Sequence, residues 1–155
     1  MQITFLSYFL ASIIAYLGLL IGLILIRMAP EEQNSGRKYF ILLKKILFFT
    51  VFIPVLYYYK INIIFSLALL SFVAALMLGN KLKLDKSYLI CFLLGIFFYL
   101  GSRFIDLFVM ESVLIFLYGI PNASLMFSLK KKNYSEVLIK NLPFFIPVAI
   151  LYIIF

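Results

Sequence analysis

Among six acidic side chains, Glu111 lies well inside a long apolar stretch, with Arg103 and Asp106 near the start of that stretch. An ionisable group at membrane depth is costly and marks a functional position by default. Arg103 and Asp106 are three residues apart, which puts them on one helix face and predicts an ion pair between them. Glu111 lies five residues beyond Asp106, about 7 Å deeper at 1.5 Å per residue. Two readings stay open for it. It is either a buried site, with Arg103 as counter-ion or a proton or cation as ligand, or a carboxylate close enough to the headgroups to stay hydrated. Farther along the same stretch, Gly119-Ile120-Pro121-Asn122-Ala123-Ser124 is expected to interrupt the helix. Interrupted helices expose free backbone groups that line cavities in transporters; a plain helix end followed by an interfacial turn explains the segment equally well.

Other chemistry is largely excluded by what the chain lacks. It contains no His and only one Cys, Cys91. The commonest general base and metal ligand are therefore missing, and neither an internal disulfide nor a Cys-based metal site can form. No Gly-rich phosphate loop, fixed-spacing acid pair or nucleophile turn is present. No metal and no cofactor is expected. Glu31 and Glu32 are the one adjacent acid pair. They are read as favourable charges at a helix start, or else, with nearby lysines, as groups for chemistry on a lipid headgroup. Asn122 and Asn133 each begin an N-x-Ser sequon, but both fall on the side assigned below to the cytoplasm, so glycosylation is not expected.

The frame that must position these residues is set by composition. At 155 residues the chain is one domain, with 66% apolar and 13% charged residues, against roughly 25% charged in soluble domains. A domain of this size cannot bury that much apolar surface internally, so the excess faces lipid. The net charge of +8 sits beside apolar runs, which makes anionic headgroups the partner; a juxtamembrane base contributes about 1 kcal/mol. The usual features of a nucleic-acid binder are absent. Met1-Gln2-Ile3-Thr4 has no positive n-region, so the first apolar run reads as a retained span and not a signal peptide.

A bilayer core of about 30 Å needs roughly 20 helical residues, and continuous apolar runs exclude the alternating pattern of a membrane barrel. Six runs are expected to be spans: about 3–27, 39–59, 61–79, 87–102, 105–128 and 138–155. Twelve of the fourteen bases occupy alternate gaps. Arg27, Arg37, Lys38, Lys44 and Lys45 fill the first, Lys81, Lys83 and Lys86 the third, and Lys130, Lys131, Lys132 and Lys140 the fifth. Only Lys60 and Arg103 mark the other two. The positive-inside rule then places gaps one, three and five in the cytoplasm and both termini outside. Lys44 and Lys45, in the first turns of the second span, are expected to snorkel to the headgroups.

Small residues mark the helix-packing seams. Ala11, Ala15, Gly18 and Gly22 follow Ser7 on one stripe of the first span, with a GxxxG pair that permits close backbone approach. Ala68, Ser71, Ala75 and Gly79 repeat the device in the third, and Ser87, Cys91 and Gly95 in the fourth. Spans one, three and four are thus expected to form the tight core, the first seam serving either internal packing or a second copy. Pro54, Pro121 and Pro147 each remove a backbone donor and are expected to kink or break their helices. Phe52-Ile53-Pro54-Val55 recurs as Phe145-Ile146-Pro147-Val148, through duplication or through chance in an apolar background. The expectation is an all-α, six-helix, multi-pass protein of the cell membrane. Its role is non-enzymatic, as a small transporter or channel-like protein or as an accessory subunit with a membrane-protein partner or a second copy. The alternative is a lipid-acting enzyme at the cytoplasmic face.

Overall fold

A computed structural model describes residues 4–78, 87–127 and 134–154 of the chain. The described residues are helical, with no strand among them. The order is α1 (Phe5–Met28), α2 (Glu32–Ser35), α3 (Arg37–Tyr58), α4 (Ile63–Leu78), α5 (Ser87–Gly101), α6 (Ile105–Met126), α7 (Tyr134–Asn141), a 3-10 turn (Leu142–Phe144) and α8 (Phe145–Ile154). Four segments are long and apolar enough to cross a membrane: Phe5–Met28, Arg37–Tyr58, Ile105–Met126 and Tyr134–Ile154. The runs expected as third and fourth spans form shorter helices, α5 having 15 residues, or about 22 Å at 1.5 Å per residue. Lys81, Lys83, Asp85, Lys86, Lys130, Lys131, Lys132 and Asn133, together with Gly79, lie outside the described residues.

Side-chain contacts fix the two ends of the bundle. Phe5 at the start of α1 packs against Tyr152 near the end of α8, with ring centroids 5.3 Å apart. At the opposite end, Gln33 from the α1–α3 connection donates its Nε2 to the backbone carbonyls of Ser124 (3.0 Å) and Phe127 (2.6 Å). It thereby satisfies two of the carbonyls that the end of α6 leaves open. The α1–α3 connection and the C-terminal end of α6 therefore share one end of the bundle, and Phe5 and Tyr152 share the other.

The most extensive packing is α1 against α6, followed by α3 against α6. Its basis is steric. A Cβ at Gly18 would run into the Phe116 carbonyl, and one at Gly22 would lie 2.5 Å from the Ile120 carbonyl oxygen. On the other side, a Cβ at Gly119 would come within 2.7 Å of the Leu19 backbone nitrogen. Two backbones thus touch at three glycines, with Ala15 and Ala123 buried beside them. In lipid, dispersion and close approach replace the hydrophobic effect as the source of helix association. The stripe read from the first span is therefore occupied by the chain's own fifth run.

The third run departs from expectation. Ala68 and Ser71 of α4 are exposed, and among its described side chains partly buried Leu69, Leu70 and Val73 reach the core. Core and periphery divide physically: lipid is as apolar as Leu, and the described part of α4 has no glycine to admit a neighbouring backbone. α5 holds the central place instead. A Cβ at its Gly95 would meet the Phe144 carbonyl and Pro147, and Cys91, Leu94 and Phe98 are buried. The core is formed by α1, α3, α5, α6 and α8.

The break expected around Pro121 is not found. Pro54 and Pro121 lie within helices that continue past them, so the Gly119–Ser124 segment is helical and not a break. The interruption falls in the last span, where Pro143 sits in the 3-10 turn between α7 and α8. Pro147 lies in the first turn of α8, where a missing N–H costs little. The two copies of the Phe-Ile-Pro-Val sequence accordingly occupy different settings, a helix interior and a helix start.

Because the Gly18 Cα approaches a backbone carbonyl and not a flexible side chain, relief on substitution requires the helices to separate. Gly18→Ala is expected to cost about 1–3 kcal/mol, read as a lowered unfolding midpoint of the detergent-solubilised protein. Ala68→Leu, on the exposed face of α4, is expected to leave the midpoint unchanged. Equal effects of the two would contradict the seam.

Candidate functional site

α6 presents Glu111, Ile115, Tyr118 and Asn122 at intervals of four, three and four, one face of a 3.6-residue helix. All four are buried. Among the described residues, the buried side-chain nitrogen and oxygen atoms with no hydrogen-bond partner are both carboxylate oxygens of Glu111, the hydroxyl of Tyr118 and Oδ1 of Asn122. Every one of them is on this face. Buried polar groups are nearly always paired, and each exception calls for an explanation. From Glu111 to Asn122 the stripe covers eleven residues, about 16 Å along the axis.

The end nearest Asn122 is held by a network whose donor and acceptor assignments constrain one another. Asn141, at the end of α7, donates Nδ2 to the Val137 carbonyl at 2.6 Å, which turns its Oδ1 inward. That oxygen accepts from Asn122 Nδ2 and from Cys91 Sγ, each at 2.8 Å. Asn122 must present its nitrogen to Asn141, and its own Oδ1 is thereby left without a partner. The network joins α5, α6 and α7 at the interruption of the last span. Tyr16 of α1 adds a fourth element, its hydroxyl donating to the Leu138 carbonyl at 2.7 Å.

Beside this network lies a cavity of about 20 Å³, enough for one water-sized particle. Tyr16, Cys91, Tyr118, Asn122 and Asn141 line it together with Phe144 and other apolar side chains. The Lys44 ammonium of α3 lies 6.0 Å from the Tyr118 ring centroid, at the outer limit of a cation–π contact. Lys44 is half-buried, so its head stands alongside the bundle at a buried ring.

Glu111 occupies the other end of the stripe and is 0% exposed, which decides between the two readings of its position in favour of burial. Its Cγ sits against Gly101, where a Cβ would come within 3.1 Å; Phe98, Leu107 and Phe108 nearby along α5 and α6 are buried. Arg103 is not its counter-ion. The guanidinium donates to the Tyr99 hydroxyl at 2.6 Å and lies 5.4 Å from that ring's centroid. Nor do Arg103 and Asp106 form the expected ion pair: both are exposed, where such a pair contributes little, while the Tyr99 ring and hydroxyl offer the guanidinium two contacts at once. Among the described residues the ion pair is Lys140 with Glu136. Glu31 is exposed and joins no ion pair there.

The residues singled out by sequence thus divide. Glu111 and the Asn122 segment share a buried face, whereas Asp106 and Arg103 stay at the end of α6. Tyr118 and Asn141 were not singled out. Tyr118 carried a signal, since it stands at i+7 from Glu111 and i−4 from Asn122. Asn141 carried none beyond being an amide in the last apolar run.

Replacing Asn141 leaves a thiol and an amide nitrogen without their acceptor. Asn141→Leu is expected to destabilise the protein by about 1–2 kcal/mol, and to make Cys91 measurably more reactive to a membrane-permeant maleimide. Glu111→Leu removes a buried, unpartnered carboxyl and is expected to leave the unfolding midpoint unchanged or higher. A large loss of stability in Glu111→Leu would show that the carboxyl is a structural partner.

Comparison of the chain with protein-family models, curated proteins and solved structures found no match.

Proposed function

We propose that this is a six-span protein of the cell membrane with both termini outside, acting as a small transporter or channel-like protein for a small polar solute or ion. The observation that carries the reading is the buried face of α6, which bears four unpartnered polar atoms and extends through both halves of a membrane-spanning helix. A helix held in place by packing alone has no use for such a face. Each unsatisfied buried group costs about 1–3 kcal/mol, and apolar residues of similar size avoid that cost. The interrupted last span, meeting this face at Asn141, is the kind of discontinuity at which transporters place their binding sites.

The distribution of bases supports the orientation. Arg27, Arg37 and Lys38 belong to the same end of the bundle as Gln33 and the C-terminal end of α6, while Lys60 and Arg103 belong to the end that holds Phe5 and Tyr152. An accessory-subunit role has one supporting observation, the exposed small residues Ala68 and Ser71 of α4, since the seam of α1 is already filled. The lipid-enzyme reading has less support, because Glu31 is exposed and joins no ion pair among the described residues.

Two measurements test the proposal. Alkaline phosphatase fused after Lys60 or after Arg103 is expected to be active, and fused after Gln33 to be inactive; the reverse pattern would overturn the orientation. In proteoliposomes, a screen of protons, monovalent cations and small neutral solutes is expected to show flux for one class. Asn122→Leu and Glu111→Gln should each lower that flux about tenfold or more, equivalent to roughly 1.4 kcal/mol. Flux equal to empty vesicles for every class, with folded protein incorporated, would overturn the transport reading.

A further inference from the structure

We propose that Glu111 is a proton-binding site, its carboxyl taking up and releasing a proton from the end of α6 that carries Asp106. The assignment names the species for the transport reading and rests on that reading for its purpose. The site itself stands on geometry. A carboxyl group that is 0% exposed, with both oxygens unpartnered, has three ways to be tolerated: a counter-ion, a metal cation or a proton.

The first is excluded by placement. The elements packed against this part of α6 bring Tyr8 from α1, Tyr59 at the end of α3, and Tyr99 and Arg103 from α5 and the turn after it. Each is engaged elsewhere. Tyr8 donates to the Val148 carbonyl at 3.1 Å and Tyr59 to the Leu100 carbonyl at 3.0 Å, while Arg103 is bound to Tyr99. On its own helix Asp106 is exposed, and Tyr118 lies two turns away.

The second is excluded by donor count. Hard cations require about six oxygen ligands; among the described residues no side chain hydrogen-bonds to Glu111 and no cluster of three or more acidic, His or Cys side chains forms. The groups beside it, Gly101 and Phe108, supply no further side-chain oxygen. A proton needs a single oxygen. The glycine at position 101 gives the stem of the side chain the room it needs. Glu111 is six residues from the start of α6, about 9 Å, close enough for exchange with water around the exposed Arg103–Asp106 turn.

The test is labelling of the full-length protein in liposomes with N,N′-dicyclohexylcarbodiimide, which adds to protonated carboxyls in apolar surroundings, followed by mass spectrometry. The expected result is an adduct on Glu111 that increases as pH falls and is lost in Glu111→Gln. The adduct should be unaffected by sodium, potassium or calcium at fixed pH, and exposed Glu31 and Asp106 should remain unlabelled. No adduct on Glu111 at any pH overturns the proposal, as does protection by one of those cations. Infrared difference spectra between acid and alkaline samples give a second readout: a protonated-carboxyl stretch present in the native protein and missing in Glu111→Gln supports the site, and its absence from the native protein overturns it. The two readings fail separately. Labelling without flux of any solute sinks transport and leaves the proton site, whereas flux without labelling sinks the proton site and leaves transport.

Discussion

The arrangement depends on one contact, the meeting of two backbones where Gly18 and Gly22 of α1 face Phe116, Gly119 and Ile120 of α6. Apolar side chains gain nothing from one another that lipid does not also offer. Main chain meets main chain at three glycines along this pair of helices, which is what draws the two together. Once α6 is held so closely along α1, its remaining faces are assigned. One turns to α3, and the face bearing Glu111 and Asn122 is enclosed by the other elements of the bundle. The polar stripe is buried because the glycines draw its helix inward.

A second consequence concerns how polarity is distributed. Several hydroxyl groups among the described residues bond to carbonyls on other helices or on their own: Tyr8 to Val148, Tyr16 to Leu138, Ser112 to Phe108 and Ser124 to Ile120. These bonds satisfy the hydroxyl without introducing charge and tie helices together across the bundle. Against that background the unpartnered atoms of α6 stand apart. The chain had available the means to satisfy buried oxygens and uses them elsewhere.

Much of the architecture was legible in the sequence because membrane spans are read from composition and length, which need no knowledge of neighbours. Glu111 was legible for the same reason, as an acid in an apolar run. What could not be read was which face met which. Small residues mark where close approach is possible, but Ala68 and Ser71 of α4 are small like the stripe of α1 and stay exposed. Only a backbone on the other side distinguishes the two. Gly119 and Pro121 looked like a break because those residue types usually punctuate a chain. In α6 the glycine is a contact point and the proline is accommodated, since the carbonyl it leaves free can be tolerated within a packed span. Asn141 was hidden because its meaning lies in Cys91 and Asn122, fifty and nineteen residues away.

The glycine seam also bears on how the molecule is made. The two halves of that contact are separated by about one hundred residues of chain, which at roughly 5–20 residues per second takes several seconds to synthesise. Throughout that interval α1 is already a finished apolar helix whose groove has no occupant, while α3, α4 and α5 are still being made. A nascent helix with an open glycine groove can pair with its counterpart on a neighbouring ribosome's product. The arrival of α6 is therefore a kinetic event as well as a structural one: it closes the groove, and with it the interval in which two copies can become entangled.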